Sequence, residues 1–230
     1  PSIKGLLKLK GYIDKYSYRI FNDTKLSILD IGIGEGEFIK LFYGDYKTYG
    51  MEINPIEGFN YNNIINRKIL FNKIEETINE KYKSSFHIIT SLDIFEHLSK
   101  LDCAIKNIHS MLHPKGLLVI ETGNISSFPS KLMGYYKWWY VSILEHKIFW
   151  DVKTISSFLE SNNFRLLMIK KKIHKGGITF NPIPFIKFII HLISPKLYQI
   201  IMNYFNKDIT KPDLPRIPWF DHMLIIAQKL

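Results

Sequence analysis

Cysteine is almost absent from this chain of 230 residues, in which Cys103 is the only one. One cysteine excludes an internal disulfide and is typical of proteins from reducing compartments. Acidic residues are also scarce: 21 Asp and Glu stand against 31 Lys and Arg, which gives a formal net charge of +10. Nine basic residues and one acidic residue, Asp208, lie between Arg165 and Lys211. This excess indicates either an anionic partner or a charged surface that serves only solubility.

The chain also lacks any run of about 20 apolar residues, so the sequence predicts no membrane-spanning helix. The basic residues near its start are not followed by the uninterrupted apolar segment of a signal peptide. We therefore expect a cytoplasmic protein, with peripheral membrane contact as the alternative. Internal repeats and low-complexity segments are absent as well, and a length of 230 residues predicts one domain with a full core.

Strand-like and helix-like patterns alternate along most of the chain. Apolar residues at helical spacing predict an N-terminal helix within 1–24, before a core at 25–124. Such alternation predicts an α/β fold, a mainly parallel Rossmann-like sheet with helices on both faces. The predicted strands are 26–31, 48–53, 68–71, 86–92, 117–122, 165–173 and 222–228. The predicted helices after the first are 35–43, 101–112 and 153–161.

Two further segments do not belong to this alternation. The segment 125–150 is rich in Trp, Tyr and Phe, and we assign it to the acceptor side of a binding site. The segment 175–220 contains two apolar helical stretches, within 183–206, that are separated by Pro195. Helices this apolar must bury a broad face. We expect a cap or a homodimer interface, and an interfacial membrane contact is the alternative.

A glycine-rich turn follows the first predicted strand, in the stretch LDIGIGEGEF from Leu29 to Phe38. Glycines at alternate positions let the backbone pass close to a ligand, because they carry no Cβ. A helix after this turn would point free N–H groups at the same ligand. Glu52 ends the second strand about 20 residues later, where a carboxylate accepts hydrogen bonds from ribose hydroxyls. The pattern therefore predicts a site for a nucleoside-containing cofactor.

The glycine spacing narrows the choice of cofactor. Gly32, Gly34 and Gly36 form G-x-G-x-G rather than the G-x-G-x-x-G of dinucleotide sites, and Asp30 precedes them. A carboxylate there repels a pyrophosphate but can hold an ammonium group. The stretch resembles motif I of the class I S-adenosylmethionine-dependent methyltransferases. The resemblance implies S-adenosylmethionine as cofactor and a seven-stranded sheet with a reversed edge. We assign to the donor site Asp30, Gly32, Gly34, Gly36, Phe38, Glu52, Ile53, Asn72, Leu92 and Asp93.

Within that set, Asn72 departs from the family pattern. The family commonly has an acidic residue after strand 3 that contacts the adenine amino group. Asn72 is the counterpart in this sequence, and its carbonyl oxygen can still accept a hydrogen bond.

The segment after strand 4, Ser91 to Leu98, resembles the D-x-x-E-H-L segment of small-molecule methyltransferases such as the ubiquinone-biosynthesis-like O-methyltransferases. The stretch from Glu145 to Trp150 resembles their E-H-x-x-F passage. These resemblances imply an acceptor site with Glu96, His97 and His146 as catalytic candidates, and a histidine is a suitable base for a hydroxyl acceptor. We assign no metal. A transition-metal ion held by these three residues, with Asp93, is the alternative.

The resemblance implies transfer of a methyl group to an oxygen of a small or lipid-linked acceptor, either a saccharide intermediate or a quinone-like phenol. The basic C-terminal third keeps an RNA methyltransferase open as an alternative. Against it, the sequence carries no N-P-P-Y-like segment after strand 4. A catalytically silent partner subunit that binds only the cofactor is a further alternative.

Overall fold

The computed structural model describes residues 3–22, 25–54, 56, 60–61, 65, 69–70, 73–135, 138, 140–141, 143–172, 190, 193–204 and 221–230. Within these residues, strands and helices alternate as the sequence predicts. The strands are β1 (Ser27–Ile31), β2 (Lys47–Met51), β3 (Ile69–Leu70), β4 (Phe86–Leu92), β5 (Leu112–Gly123), β6 (Phe164–Lys172) and β7 (His222–Lys229). The helices are α1 (Ile3–Ile20), α2 (Leu101–Met111), α3 (Phe128–Met133), α4 (Val152–Ser161) and α5 (Pro195–Tyr204).

The strands form one sheet in the order β3-β2-β1-β4-β5-β7-β6. The strands β1 to β5 are parallel to one another, and β7 runs antiparallel to both β5 and β6. The predicted seven-stranded α/β sheet is therefore confirmed, with β7 inserted between β5 and β6. The chain leaves β1 toward β2 and later returns on the other side as β4. Ligands bind at the carboxyl ends of strands at such a switch point.

Apolar side chains cover both faces of the sheet. On one face, Ile105 of α2 and Ile155 of α4 belong to the same buried cluster as Ile120 of β5. On the other face, Ile13 of α1 joins a second cluster with Ile28 of β1. Burial of both faces explains why the central strands are almost continuously apolar. It also leaves the carboxyl ends of the strands as the place where polar side chains gather.

Two local predictions differ from the structure. The predicted helix at 35–43 is wrong: turns continue to Phe38 and only a short 3₁₀ helix, Ile39–Phe42, follows. Gly32, Gly34 and Gly36 all have positive φ angles, which an α-helix does not accept. The predicted start of the fifth strand at Leu117 is also late, because β5 begins at Leu112 and contains the Pro-Lys-Gly turn as an irregularity in its pairing with β4.

The two segments outside the alternation are described in part. Trp138 and Tyr140 of the aromatic segment are buried. In the apolar segment, α5 begins at Pro195, and the predicted helical stretch before this proline lies largely outside the described residues. Residues 173–189 and 205–220 lie outside the described residues. Every helix in the described part of the chain is too short or too polar to span a bilayer.

Candidate active site

The glycine turn borders open space at the carboxyl end of β1. Gly32, Gly34 and Gly36 have φ angles of +74°, +51° and +71°. A Cβ on Gly34 would meet no protein atom within 4 Å, whereas a Cβ on Gly32 would lie 2.3 Å from Cδ1 of Ile94. Gly32 thus lets Ile94 pack against the turn, and Gly34 leaves room for a ligand to approach the backbone.

The N–H groups of this turn bind within the protein. Gly32 and Ile33 both donate to the carbonyl of Met51, over 2.8 and 3.2 Å, and Gly36 donates to the carbonyl of Ile33 over 2.8 Å. The α-helix expected to begin here is absent, because the glycines with positive φ angles keep the chain out of a helix. The hydrogen bonds to Met51 hold the turn against the end of β2, next to Glu52.

Glu52 lies beside the glycine turn and accepts hydrogen bonds from three backbone N–H groups. Its Oε2 accepts from the Gly34 N–H over 3.0 Å, and its Oε1 accepts from the N–H groups of Ile53 and Asn54 over 2.9 and 3.1 Å. A carboxylate accepts about four hydrogen bonds, so one acceptor position is left for a ligand hydroxyl. Ile53 itself is exposed beside it.

Asp30 lies buried in β1, between Gly50 of β2 and Thr90 of β4. Thr90 donates its hydroxyl to Asp30 Oδ1 over 2.5 Å. Burial, opposed by the Thr90 hydrogen bond and assisted by the nearby charge of Glu52, raises the pKa of Asp30 to about 7. A buried carboxyl group that titrates near neutral pH gains its charge most readily when a cationic ligand group binds beside it.

Three further residues are predicted for the donor site, and two of them lie within the described part of the chain. Phe38 is buried in the core and packs edge-to-face on Phe42, with ring centroids 5.2 Å apart. Leu92 is half-buried at the end of β4 and packs against the α1 side of the core. Asn72 lies outside the described residues.

Asp93 follows β4 with a φ angle of +55°, which is unusual for a residue other than glycine. Its N–H donates to the carbonyl of Glu121 over 2.8 Å, and its Oδ1 lies 3.7 Å from Nε2 of His222. Burial and, to a smaller extent, the charge of Glu121 raise the pKa of Asp93 to about 7. His222 is buried, and its Nδ1 lies 3.1 Å from Oδ1 of Asp221.

Glu121 and His222 are site residues that sequence reasoning missed. They come to Asp93 because β7 pairs antiparallel with β5, which sets His222 opposite Gly123. Lys172 at the end of β6 pairs with the buried Glu121, with 2.5 Å between Nζ and Oε2. No local pattern marks these residues, since the sheet alone brings the ends of β4, β5, β6 and β7 together.

Glu96, His97 and His146 lie together after the end of β4, beside Thr122 of β5. One ligand atom from each of the three lies within 4.8 Å of the others. The backbone brings them together: the N–H groups of Lys147 and Ile148 both donate to the carbonyl of Glu96, over 2.8 and 3.1 Å. The structure thus joins two segments that the sequence could only propose as neighbours.

Backbone carbonyls orient both imidazole rings. Nδ1 of His97 lies 3.1 Å from the carbonyl oxygen of Glu145, and Nδ1 of His146 lies 2.8 Å from that of Tyr140. A carbonyl only accepts hydrogen bonds, so each Nδ1 carries a proton. Burial lowers the pKa of His146, which keeps this ring neutral at pH 7. A neutral Nε2 can accept a proton or bind a metal ion.

Glu96 and Tyr140 support this group. Thr122 donates to Oε2 of the buried Glu96 over 2.8 Å, and Oε1 has no hydrogen-bond partner within the described residues. The hydroxyl of Tyr140 accepts from the Gly123 N–H over 2.9 Å, and its ring occupies the space where a Cβ on Gly123 would lie. Tyr140 therefore needs glycine at position 123, a dependence that only the folded structure makes visible.

The same three residues could hold a metal ion. Small side-chain rotations would bring two imidazole nitrogens and one carboxylate oxygen onto an ion with bonds of about 2.0–2.2 Å. The Nδ1–carbonyl contacts of both histidines are of the kind that orients metal-bound imidazoles. Asp93, which the sequence adds to this set, lies outside the group of three.

Comparison with known proteins agrees with this geometry. The family model described as "Methyltransferase domain" matches residues 8–169. A SAM-dependent methyltransferase from Archaeoglobus fulgidus is 20% identical, with 96% of this chain and 94% of that chain covered and a TM-score of 0.54. A putative sarcosine dimethylglycine methyltransferase from Galdieria sulphuraria is 14% identical, with 99% and 86% covered and a TM-score of 0.63. No curated protein sequence matches the chain significantly.

A third similar structure is a putative methyltransferase from Haloferax volcanii, in complex with the Trm112 methyltransferase activator. It is 11% identical to this chain, with 98% of this chain and 92% of that chain covered and a TM-score of 0.57. At such identities these structures show the fold, while the family model covers most of this chain. Together with a glycine turn that leaves space at Gly34, the match to the family model shows that the chain belongs to the methyltransferase-domain family and is an S-adenosylmethionine-dependent methyltransferase.

Proposed function

We propose that this enzyme methylates an oxygen atom of a small or lipid-linked acceptor, in the manner of the ubiquinone-biosynthesis-like O-methyltransferases. The observation that carries the proposal is the group of Glu96, His97 and His146 at the end of β4. A hydroxyl acceptor has to lose its proton during methyl transfer, and the neutral imidazole of His146 supplies an Nε2 for that purpose.

The donor residues fit S-adenosylmethionine on their own chemistry. The ligand is cationic at its sulfonium and ammonium groups, Glu52 places a carboxylate beside the open space at Gly34, and Asp30 adds a buried carboxyl group in β1. Glu52 is the residue we assign to the ribose hydroxyls, and Asp30 to the ammonium group. When bound, S-adenosylmethionine supplies an activated methyl group, so the protein has mainly to orient the acceptor and remove its proton.

The roles on the acceptor side follow from burial and orientation. His146 is the proposed base, because burial keeps its ring neutral and the Tyr140 carbonyl fixes its Nδ1–H. It would take the hydroxyl proton while the acceptor oxygen forms its bond to the methyl carbon and the bond from carbon to sulfur breaks. His97 and Glu96 would then orient the oxygen and stabilise the imidazolium that forms on His146.

The aromatic segment supports an acceptor with a flat or ring-shaped apolar surface. Trp138 and Tyr140 stack with ring centroids 4.8 Å apart, and the Tyr140 ring lies 4.1 Å from that of His146. Phe128 and Tyr135 are exposed on the same segment. Aromatic faces of this kind pack against sugar C–H groups as well as phenol rings. A saccharide intermediate and a quinone-like phenol are therefore the acceptor classes to test first.

The test begins with calorimetric titration of the protein with S-adenosylmethionine and S-adenosylhomocysteine, with NAD as the control ligand. Transfer of labelled methyl groups is then measured to catechols, sugars, polyprenyl-linked saccharides and RNA, and the methylated atom is identified by NMR. An O-methyl product supports the proposal, whereas transfer to nitrogen, carbon or RNA overturns it. Donor binding without transfer to any acceptor would instead support a catalytically silent subunit.

The same assay tests the metal alternative. Chelation with EDTA should leave the rate unchanged if His146 acts as a base without an ion. Loss of activity that a divalent transition metal restores would assign Glu96, His97 and His146 to metal binding, and the acceptor proton would then need another base.

A further inference from the structure

Several apolar residues in and just before α5 are exposed. In α1, α2 and α4 the apolar stripe is buried against the sheet, for example at Leu9, Ile108 and Leu159. In and just before α5 the corresponding residues are exposed: Ile193 to 78%, Leu197 to 47%, Ile200 to 64% and Tyr204 to 85%. The intervals of four, three and four residues place all of them on one helix face. We call these four residues the α5 stripe.

The start of α5 is well defined, so the stripe belongs to a regular helix. Ser194 accepts a hydrogen bond from the Leu197 N–H on its side-chain oxygen over 3.2 Å, as an N-cap residue does. Pro195 follows at the first helical position, where its missing N–H costs nothing. The stripe therefore forms a continuous apolar ridge, which water alone would cover unfavourably.

The charge around the stripe indicates what covers it. Between Arg165 and Lys207 the sequence has eight basic residues and no acidic one. An exposed apolar ridge within such a basic stretch matches an anionic lipid surface, which attracts lysines and accepts apolar side chains at its interface. A second copy of this chain would be repelled by the same charge. The helices of the described residues are unable to cross the bilayer, so the contact would lie in its surface.

A second group of exposed apolar residues lies beside the acceptor site. Leu144 is 98% exposed and directly precedes Glu145, whose carbonyl faces the His97 ring. Phe128 and Tyr135 are exposed on the same segment, as noted above. An enzyme that took its acceptor from a membrane would need apolar residues at this position, because the acceptor must pass from lipid to His146 without crossing water.

We propose that the α5 stripe docks the protein onto the surface of an anionic phospholipid bilayer. The proposal of membrane docking does not depend on which atom of the acceptor is methylated. The conclusion that the acceptor is lipid-linked rather than freely diffusing rests on the proposed function. The stripe would then raise the local concentration of such an acceptor at the active site.

The test is cosedimentation of the full chain with phosphatidylcholine vesicles, with and without about 30% phosphatidylglycerol. We expect binding to the anionic vesicles that weakens as salt rises from about 0.05 M to about 0.5 M. The variant carrying Leu197→Gln, Ile200→Gln and Tyr204→Gln should lose at least about tenfold in vesicle affinity. Glutamine is a good helix former, so α5 keeps its intrinsic preference.

The matched control carries Leu7→Gln and Tyr18→Gln, which remove two exposed apolar residues from α1. It should bind vesicles as the unaltered chain does. Calorimetry with S-adenosylhomocysteine checks that both variants are folded. Its result does not depend on whether the protein binds vesicles. The docking proposal is overturned if the unaltered chain ignores anionic vesicles, or if the α5 variant binds them equally well. A dimer that only the α5 variant dissociates would also overturn it.

Discussion

The donor end and the acceptor end of the site are built in different ways. At the donor end, the bond from Gly34 to Glu52 joins residues 18 positions apart, and most contacts are made by the backbone of a single turn. At the acceptor end, the contact between His97 and the Glu145 carbonyl joins residues 48 positions apart, and side chains from several segments take part. A site made mainly by the backbone of one turn suits a ligand that does not change, such as the methyl donor. A site assembled from distant side chains allows the acceptor to differ while the donor stays the same.

The acceptor end gives the largest expected effect. Replacement of His146 with Ala should lower kcat by about 10²- to 10⁴-fold, because this is the range that a positioned base contributes. The dissociation constant of S-adenosylmethionine should stay within about twofold, since His146 contacts Tyr140 and not the glycine turn. Single-turnover rates and calorimetry measure the two effects separately. A parallel loss of donor affinity would show that the two ends are not independent.

At the donor end, Gly34→Val should remove detectable donor binding, a loss of about a hundredfold or more, because its side chain enters the ligand's space. The structure supplies a matched control in Gly44→Val. Gly44 also has a positive φ and no atom within 4 Å of its Cβ position, but it precedes β2 and lies at the amino end of the sheet. Equal losses from both substitutions would mean that backbone strain, rather than the ligand's space, explains the result.

Replacement of Glu52, the carboxylate at the end of β2, should weaken donor binding less than replacement of Gly34 in the turn. Glu52→Ala should weaken donor binding by about 1.5–3 kcal/mol, the usual worth of hydrogen bonds to a charged group. Part of this loss comes from the released N–H groups of Gly34, Ile53 and Asn54. Glu52→Gln keeps one oxygen acceptor and should recover part of the affinity in calorimetry. Unchanged affinity in both variants would move the ribose contact elsewhere.

Donor affinity should rise with pH. Burial raises the pKa of Asp30 to about 7, so this group is largely protonated at pH 6 and largely ionised at pH 8. The ammonium group binds the ionised form, which predicts about a tenfold gain in affinity over this interval. The stability of the ligand-free protein changes in the opposite direction. Because the pKa of Asp30 is higher in the folded chain than in the unfolded chain, the free energy of unfolding falls as pH rises toward 7.

Asp93 titrates in the same interval, so a variant has to separate the two groups. Asp30→Asn should abolish the pH dependence of the dissociation constant if Asp30 causes it. A pH dependence that survives in Asp30→Asn and disappears in Asp93→Asn would assign the effect to Asp93 instead.

The smallest effect is expected at Phe38, which the sequence assigns to the donor site and the structure buries against Phe42. Phe38→Leu should lower the free energy of unfolding by about 1 kcal/mol, as shape changes in a core do. Its donor affinity should stay within about twofold of the unaltered protein. A change of about tenfold or more would place the ring in contact with the ligand after all.

The two ends also differ in how well the sequence predicted them. Asp30, Gly32, Gly34 and Glu52 are adjacent in the structure because β1 and β2 are parallel neighbours, a pairing that strand alternation already suggests. The helix expected after the turn was wrong, since pattern alone does not reveal that three glycines adopt positive φ. At the acceptor end, resemblance found Glu96, His97 and His146, but it gave no sign of Tyr140 or His222.

The order of apolar strands and helices, the glycine spacing and the two acidic residues were sufficient to determine the fold class and the donor. They act over short distances, through backbone conformation and the burial of apolar faces. The tertiary structure alone decided which remote side chains meet at the acceptor end, because antiparallel insertion of β7 and the return of Lys147 and Ile148 to Glu96 depend on long-range packing. It alone also decided that the α5 stripe faces outward, since the same helical periodicity is buried in α1, α2 and α4.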